Sequence, residues 1–371
     1  MRPVWAEIDL SAIKKNISLI KAQLKQDTLL MAVVKANGYG HGDVEVSKTA
    51  LGAGANRLGV ASAEEGVRLR KAEIKCPIQI LSEIPPSSAK LVIENELIPT
   101  VCSKRVVDEL LKEAKKLNKK VSVHVKVDTG MNRIGVFPEE TLNFLNYIKT
   151  LNFIEVEGIF THFAMAGKSP DYTKAQFEKF TSLISNLEDN GCIIPIKHAA
   201  NSAATILMPE THLDMVRVGI SIYGLHPTEA TKDRIALSPA LRFKARVSFI
   251  KTISAGEGVS YGHSYRAKNE TRIATVPLGY ADGYSRLLSN KSSVLLRGDR
   301  FPVVGNICMD QFMVDVGNHQ AEVDDEVVLI GSQGEKEIMA DELAKILGTI
   351  NYEVVCMISG RVPRRYLSQN S

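Results

Sequence analysis

The sequence predicts an α/β + β protein in two parts: an N-terminal (β/α)8 barrel of the TIM type and a C-terminal mostly-β domain, with the boundary near residue 236. Three observations carry that expectation. From about 29 to 220, short apolar β-branched runs alternate with longer stretches of helical period, the pattern of βα units around a parallel sheet. There are eight such runs, in a length close to the roughly 250 residues that a closed barrel takes. Beyond 236 the rhythm changes to strand-like segments parted by Gly, Asp and Asn, so the expected domains are 1–236 and 237–371. A doubly wound open sheet is the alternative for the first part.

In order, the barrel strands are "LLMAVVK", "RLGVAS", "PIQILS", "IPTVCS", "VSVHVKV", "IEVEGIFTHF", "PIKHA" and "MVRVGI". Between them lie amphipathic stretches such as "RVVDELLKEAKKL" and "TKAQFEKFTSLISNL". The second domain reads as "FKARVSFIKTI", "RIATVPLGY", "SSVLLRGDRFPVVG", "FMVDV" and "EVVLIGS", with one clear helix, "ADELAKIL". The opening "VWAEIDL" is itself strand-like and precedes the first barrel helix, which leaves residues 1–10 free to pair with the later domain. The stretch "LGAGAN" (51–56) is followed by Arg57 where a dinucleotide fingerprint needs its third glycine, and reads as a helix C-cap turn.

Composition excludes several classes. With 46 basic and 42 acidic residues the formal charge is +4, and the densest basic run, "KEAKKLNKK" (112–120), reads as a solvated helix end rather than a nucleic-acid surface. The opening "MRPVWAEIDLSAIKKNI" places charges where a signal peptide needs an apolar segment, and no uncharged run is long enough to span a bilayer. The expectation is a cytoplasmic protein with neither a membrane nor a nucleic acid as partner. Five cysteines, odd in number and never in a C-x-x-C pair, suggest neither a disulfide framework nor a metal site.

A barrel presents its chemistry at the C-terminal ends of its strands, and polar residues gather there. Lys35 ends the first run, Lys126 and Asp128 the fifth, and His162 the sixth; Asn201 and Ser202 follow the seventh, and Arg217 lies in the eighth, just before Gly219. Any one of them could be a capping or salt-bridging residue, but a single rim collects them all. A desolvated lysine suits Schiff-base chemistry, either directly on a carbonyl substrate or as the anchor of pyridoxal 5'-phosphate (PLP). The second role needs a phosphate cradle, and a Ser after strand seven with a Gly after strand eight stand where barrels build one.

The motif "AVVKANGYGHG" (32–42) resembles the PLP-lysine motif of the bacterial alanine racemases, which are fold-type III PLP enzymes. The similarity continues in order through "KVDTGMNRIG" (126–135), "THFA" (161–164), "HAANSAA" (198–204), "DMVRVGISIYG" (214–224), "GVSYGHSY" (258–265), "PLGYADGY" (277–284), "GNICMDQ" (305–311) and "NYEV" (351–354). The resemblance implies a PLP barrel, a β domain behind it, and a head-to-tail homodimer with active sites at the subunit interface. It also implies interconversion of L- and D-alanine, supplying D-alanine for peptidoglycan.

By that resemblance, Lys35 is the base on one face of the substrate's Cα, and Tyr261 of the partner subunit serves the other. A tyrosine with an ordinary pKa of about 10 needs help to act as a base near neutrality. The family's relay would here be Tyr261, His162 and Arg217. Arg217 cannot accept a proton, so it would leave the cofactor's ring nitrogen unprotonated. Tyr39, Asn201, Ser202, Gly219, Ile220 and Tyr352 are the implied cofactor contacts beside Lys35, His162 and Arg217. Arg133 and the Met309 main chain would hold the substrate carboxylate, with Lys126, Tyr280, Cys308 and Asp310 beside them. Lys126 close to Arg133 is a repulsive pairing, and carbamylation, as in many relatives, would reverse its sign. The competing readings are a broader serine or lysine racemase, a non-catalytic PLP-binding protein and a cofactor-free Schiff-base aldolase.

Overall fold

The structure is a computed structural model and describes residues 2–367. The chain forms two compact units: one spans Ala12–Gly38 and Asp43–Pro239, the other the first eleven residues, Tyr39–Gly42 and the chain from Ala240 on. The strand β1 (Val4–Asp9) belongs to the second of these and opens the chain.

The first unit is a barrel. Its strands are β2 (Leu29–Val33), β3 (Arg57–Val60), β4 (Ile78–Glu83), β5 (Ile98–Val101), β6 (Val121–Lys126), β7 (Ile154–Phe160), β8 (Ile196–His198) and β9 (Met215–Val218). They lie in the order β8-β7-β6-β5-β4-β3-β2-β9, every pairing parallel. Backbone hydrogen bonds from Asp214 N to Lys197 O (3.1 Å) and Arg217 N to Ala200 O (3.0 Å) join the two ends, so the ring is nearly closed. Helices fill the crossovers, and Pro138 and Pro170 each open one, where proline's missing N–H is no loss. All eight strands expected from the sequence are present, because β-branched runs this short have no other way to bury themselves than between helices.

One register irregularity shapes the interior. Val123 pairs with Val156 and His124 with Gly158, which makes Glu157 the extra residue of a β-bulge on β7. Gly158 leaves room for the His124 ring, since a Cβ there would lie 2.3 Å from the imidazole Cε1.

In the second unit β1 pairs antiparallel with β10 (Leu241–Arg246). The further strands are β11 (Phe249–Ile253), β12 (Gly258–Val259), β13 (Tyr265–Arg266), β14 (Thr271–Val276), β15 (Ser293–Leu296), β16 (Asp299–Val304), β17 (Phe312–Gly317), β18 (Glu326–Gln333), β19 (Lys336–Ile338) and β20 (Arg364–Leu367). The main sheet runs β11-β14-β17-β16-β15-β18-β10-β1-β20, while β12 and β13 form a small ribbon of their own. Besides the expected helix Ala340–Leu347 a second, Asn351–Cys356, appears. It is six residues long and rich in Tyr and Val, so no helical period marks it in the sequence.

Filling the space over His124 should be costly. Gly158→Ala is expected to destabilise the protein by about 1–3 kcal/mol through overpacking, seen as a lowered urea midpoint with an unchanged slope.

Candidate functional site

Lys35 follows β2 by two residues and is half-buried. After it the backbone turns left-handed through Ala36 (φ 53°), Asn37 (53°), Gly38 (60°), Tyr39 (50°) and Gly40 (80°). Glycine adopts this region freely, whereas each of the other three carries steric strain. Across the barrel, Lys126 ends β6 and is buried. Asp128 then accepts hydrogen bonds from the amides of Gly130, Met131, Asn132 and Arg133, at 2.9 to 3.1 Å, and so shapes the loop that carries Arg133.

Arg217, 4 % exposed on β9, is the hub. Its Nη2 has two N–H bonds for three acceptors, Thr161 O (2.8 Å), Ala199 O (2.9 Å) and, as the longest and shared contact, His162 Nδ1 (3.2 Å), while Nη1 donates to His198 Nδ1 (2.9 Å). A guanidinium only donates, so the tautomers beyond it are fixed. His198 accepts at Nδ1 and donates from Nε2 to His124 Nδ1 (2.8 Å); His124 in turn donates from Nε2 to Glu157 Oε2 (3.1 Å). Arg57 closes the chain on the same carboxylate at 3.0 and 2.5 Å. His162 likewise carries its proton on Nε2, away from Arg217.

The electrostatics agree with this direction. Burial, then the nearby Arg217, pushes His162 and His198 well below the usual imidazole range, so both are neutral. Lys126, Arg133 and Lys35 act on His162 in the same sense, so one imidazole reports four cations around it. Burial, with Arg133 and Arg217, lowers Lys126 to about 8. The Lys126 ammonium and the Arg217 guanidinium both lie over the Phe160 ring, at 5.4 and 5.3 Å.

The other barrel candidates are close in sequence and in bonding. Ser202 Oγ accepts from Gly219 N (2.9 Å), and Asn201 caps the helix Ser202–Leu207 by accepting from Ala204 N (3.1 Å). Ile220 opens the 3-10 turn after Gly219, and the fully buried Ser221 hydroxyl next to it has no partner among the described residues. The excess of cations around His162 fits an anionic group such as the phosphate of PLP. Arg217, a donor only, fits an unprotonated ring nitrogen.

In the second unit, Tyr261 (74 % exposed), Cys308, Met309 and Asp310 share the wall of a cavity of about 830 Å³. Tyr280 adjoins them through its amide, which donates to Cys308 O at 3.1 Å. Asn306 Nδ2 donates to Tyr261 O (2.5 Å) and Ser260 Oγ to Asn306 O (2.6 Å), tying the Tyr261 turn to the Met309 loop. Tyr39 and Tyr352 form a separate tilted pair, ring centroids 6.1 Å apart, and burial raises the Tyr352 phenol.

Two family models match the chain: the alanine racemase N-terminal domain over residues 8–227 and the C-terminal domain over 240–366. The chain belongs to the alanine racemase family. It is 50% identical to the alanine racemase of Desulfovibrio desulfuricans over 99% of this chain and 98% of that protein. Among solved structures it resembles the alanine racemase of Bacillus anthracis with bound L-Ala-P at 40% identity and a TM-score of 0.96, covering 100% of this chain and 96% of that one. The histidine racemase of Leuconostoc mesenteroides is similar at 29% identity and a TM-score of 0.91, covering 99% and 98%. Membership makes the chain an isomerase, and no helix among the described residues is long and apolar enough to cross a membrane.

Reading the sequence missed His124, His198, Glu157 and Arg57. His124 and Lys126 are two apart on one strand and so share a face, a signal the period of two could have given. Glu157 had no such signal, since it depends on the bulge.

Burial alone would raise the Glu157 carboxyl, but the hydrogen bonds from His124 and Arg57 hold it down at about 2, against an ordinary 4.5. A depressed carboxyl stabilises the fold above its unfolded value, and that contribution fades as pH falls towards the folded one. The urea midpoint should therefore fall between pH 4.5 and about 2, and Glu157→Gln should be less stable at neutral pH with a flatter acid limb.

Proposed function

We propose that this chain interconverts L- and D-alanine with pyridoxal 5'-phosphate held at the C-terminal mouth of the barrel. The reading has it work in the cytoplasm as a homodimer, supplying D-alanine for peptidoglycan. The observation that carries it is the directed hydrogen-bond chain from His162 through Arg217 to Glu157. It surrounds a lysine-bearing mouth with cations and leaves both imidazoles nearest Arg217 neutral.

PLP, when bound, supplies an electron sink that makes the substrate's Cα proton acidic. Lys35 is the residue that would hold it. Tyr39, Ser202, Gly219, Ile220 and Tyr352 are the candidates for its phosphate, with Asn201 beside them. Arg217 would donate to its ring nitrogen and, having no proton to accept, would leave that nitrogen basic, which weakens the sink and disfavours proton return at the wrong carbon. Arg133 and the Met309 amide would orient the substrate carboxylate, with Cys308 and Asp310 next to it and Tyr280 at the access path.

Two bases are needed, one per face of Cα. Lys35 serves one and Tyr261 of the partner subunit the other. His162 supports that division, because its Nε2–H can donate to a phenolate and so favour the ionised tyrosine. Lys126, brought to about 8, has a large neutral fraction near that pH. Its amine can attack CO2, forming the N–C bond and releasing one proton, and the carbamate anion would then orient Arg133.

The test begins with the purified protein's colour. A yellow sample bleached by borohydride, with the label on Lys35, is expected, and native mass before reduction should show one labile CO2 on Lys126. A colourless protein that racemises alanine would sink the cofactor reading. Tyr261→Phe is expected to slow Cα proton exchange from L-alanine far more than from D-alanine, and equal losses would contradict the division of bases. The likeness to a histidine racemase favours one rival, a broader amino-acid racemase, which would show comparable kcat/KM for alanine, serine, lysine and histidine.

A further inference from the structure

The turn that follows Lys35 is strained, and something must hold it. Ala36 and Asn37 sit in the left-handed region, where Cβ crowds the following carbonyl, and three side chains brace the segment. The Tyr223 hydroxyl donates to Val33 O (3.0 Å) before the lysine. Asn37 Oδ1 accepts from Asp43 N (3.2 Å) where the chain returns. Between them, Glu65 Oε1 accepts from the Ala36 amide at 2.7 Å, at the residue next to Lys35.

Glu65 has an ordinary explanation that covers half of what it does. It is the third residue of the helix Ala63–Lys71, whose N-cap Ser62 accepts from Glu65 N (3.4 Å), and Glu65 Oε2 accepts from the nearby Ala61 amide (2.7 Å). A capping carboxylate at a helix N-terminus needs no more than that. The second oxygen, however, reaches 29 residues back along the chain to Ala36. One carboxylate thus ties the end of β3's loop to the first amide of the left-handed turn, and the negative end of this tie lies on a helix N-terminus that anchors it.

We propose that Glu65 is a positioning residue for Lys35: by holding the Ala36 amide it keeps the left-handed turn in place and so fixes the point from which the lysine side chain reaches the barrel mouth. Without it, the steric preference of Ala36 and Asn37 for the right-handed region would let the turn relax and the lysine wander. The inference rests on the reading of Lys35 as the cofactor's lysine.

Hydroxylamine strips PLP from its lysine, and its rate on the holoenzyme reports how firmly that lysine is presented. Glu65→Gln should raise that rate roughly fivefold, the factor of one net hydrogen bond, and lower kcat more than it changes KM. Adding Ala36→Gly should bring the rate back towards that of the unsubstituted protein, because glycine adopts the left-handed region without strain. A role for Glu65 confined to the Ser62 cap would not be rescued in this way. A protein labelled by borohydride on Lys35 whose release rate is unchanged by Glu65→Gln, or changed without rescue, overturns this inference alone. A protein with no label on Lys35 overturns the cofactor reading and this inference with it. If Glu65→Gln does not fold, Ala36→Gly decides: its Tm should hold or rise, whereas Ala175→Gly, exposed in the right-handed helix Pro170–Asp189, should lower it. Equal losses at both positions would overturn the proposal.

Discussion

A buried guanidinium at the seam of a barrel is the constraint on which this site depends. Burial pulls Arg217 down to about 9, yet it stays a cation at neutral pH and has protons to give and none to take. Two main-chain carbonyls, Thr161 O and Ala199 O, and two imidazoles satisfy it, and the face of Phe160 lies beside it. From that single donor the tautomers of His162, His198 and His124 follow without further choice. The neighbouring Arg217 N to Ala200 O bond helps close the ring, so the residue that sets the site's protons also stands where the first and last barrel strands meet.

Backbone strain is placed with the same economy. Of the left-handed non-glycine residues, some of them elsewhere in the chain, Ala36 and Asn37 follow Lys35 while Ser260 and His263 flank Tyr261, the two side chains proposed to handle the substrate's proton. A side chain bonds the main chain of each turn, Glu65 at Ala36 and Asn306 at Tyr261, and a side chain of each turn bonds main chain beyond it, Asn37 at Asp43 N and Ser260 at Asn306 O. A turn of this kind projects a side chain from the end of an element while the backbone leaves at once, which a right-handed continuation would not do.

Much of this was legible beforehand. The strands were readable because parallel strands covered on both faces need continuous apolar runs, and the gathering of Lys35, Lys126, His162, Ser202 and Arg217 at one rim followed from their places at strand ends. Less legible were features that depend on register or on backbone conformation. Glu157 reaches His124 only because one residue is inserted opposite the Val123–His124 step. Nothing in "KAN" announces a left-handed alanine, and Glu65 reads as an ordinary helix-start carboxylate until its far oxygen is seen on Ala36. The helix Asn351–Cys356 is too short to show a period.

The position of Glu157 explains why the mouth can be so cationic. A carboxylate directly on Arg217 would neutralise it and, near a bound heterocycle, could supply a proton to it. Here two neutral imidazoles separate them, and Arg57 shares the carboxylate from the other side. The hydrogen-bond chain still polarises each ring towards Glu157, which supports the buried guanidinium from a distance. Among its hydrogen-bond partners Arg217 therefore meets no carboxylate, and Glu157 acts on it through the His198 and His124 rings.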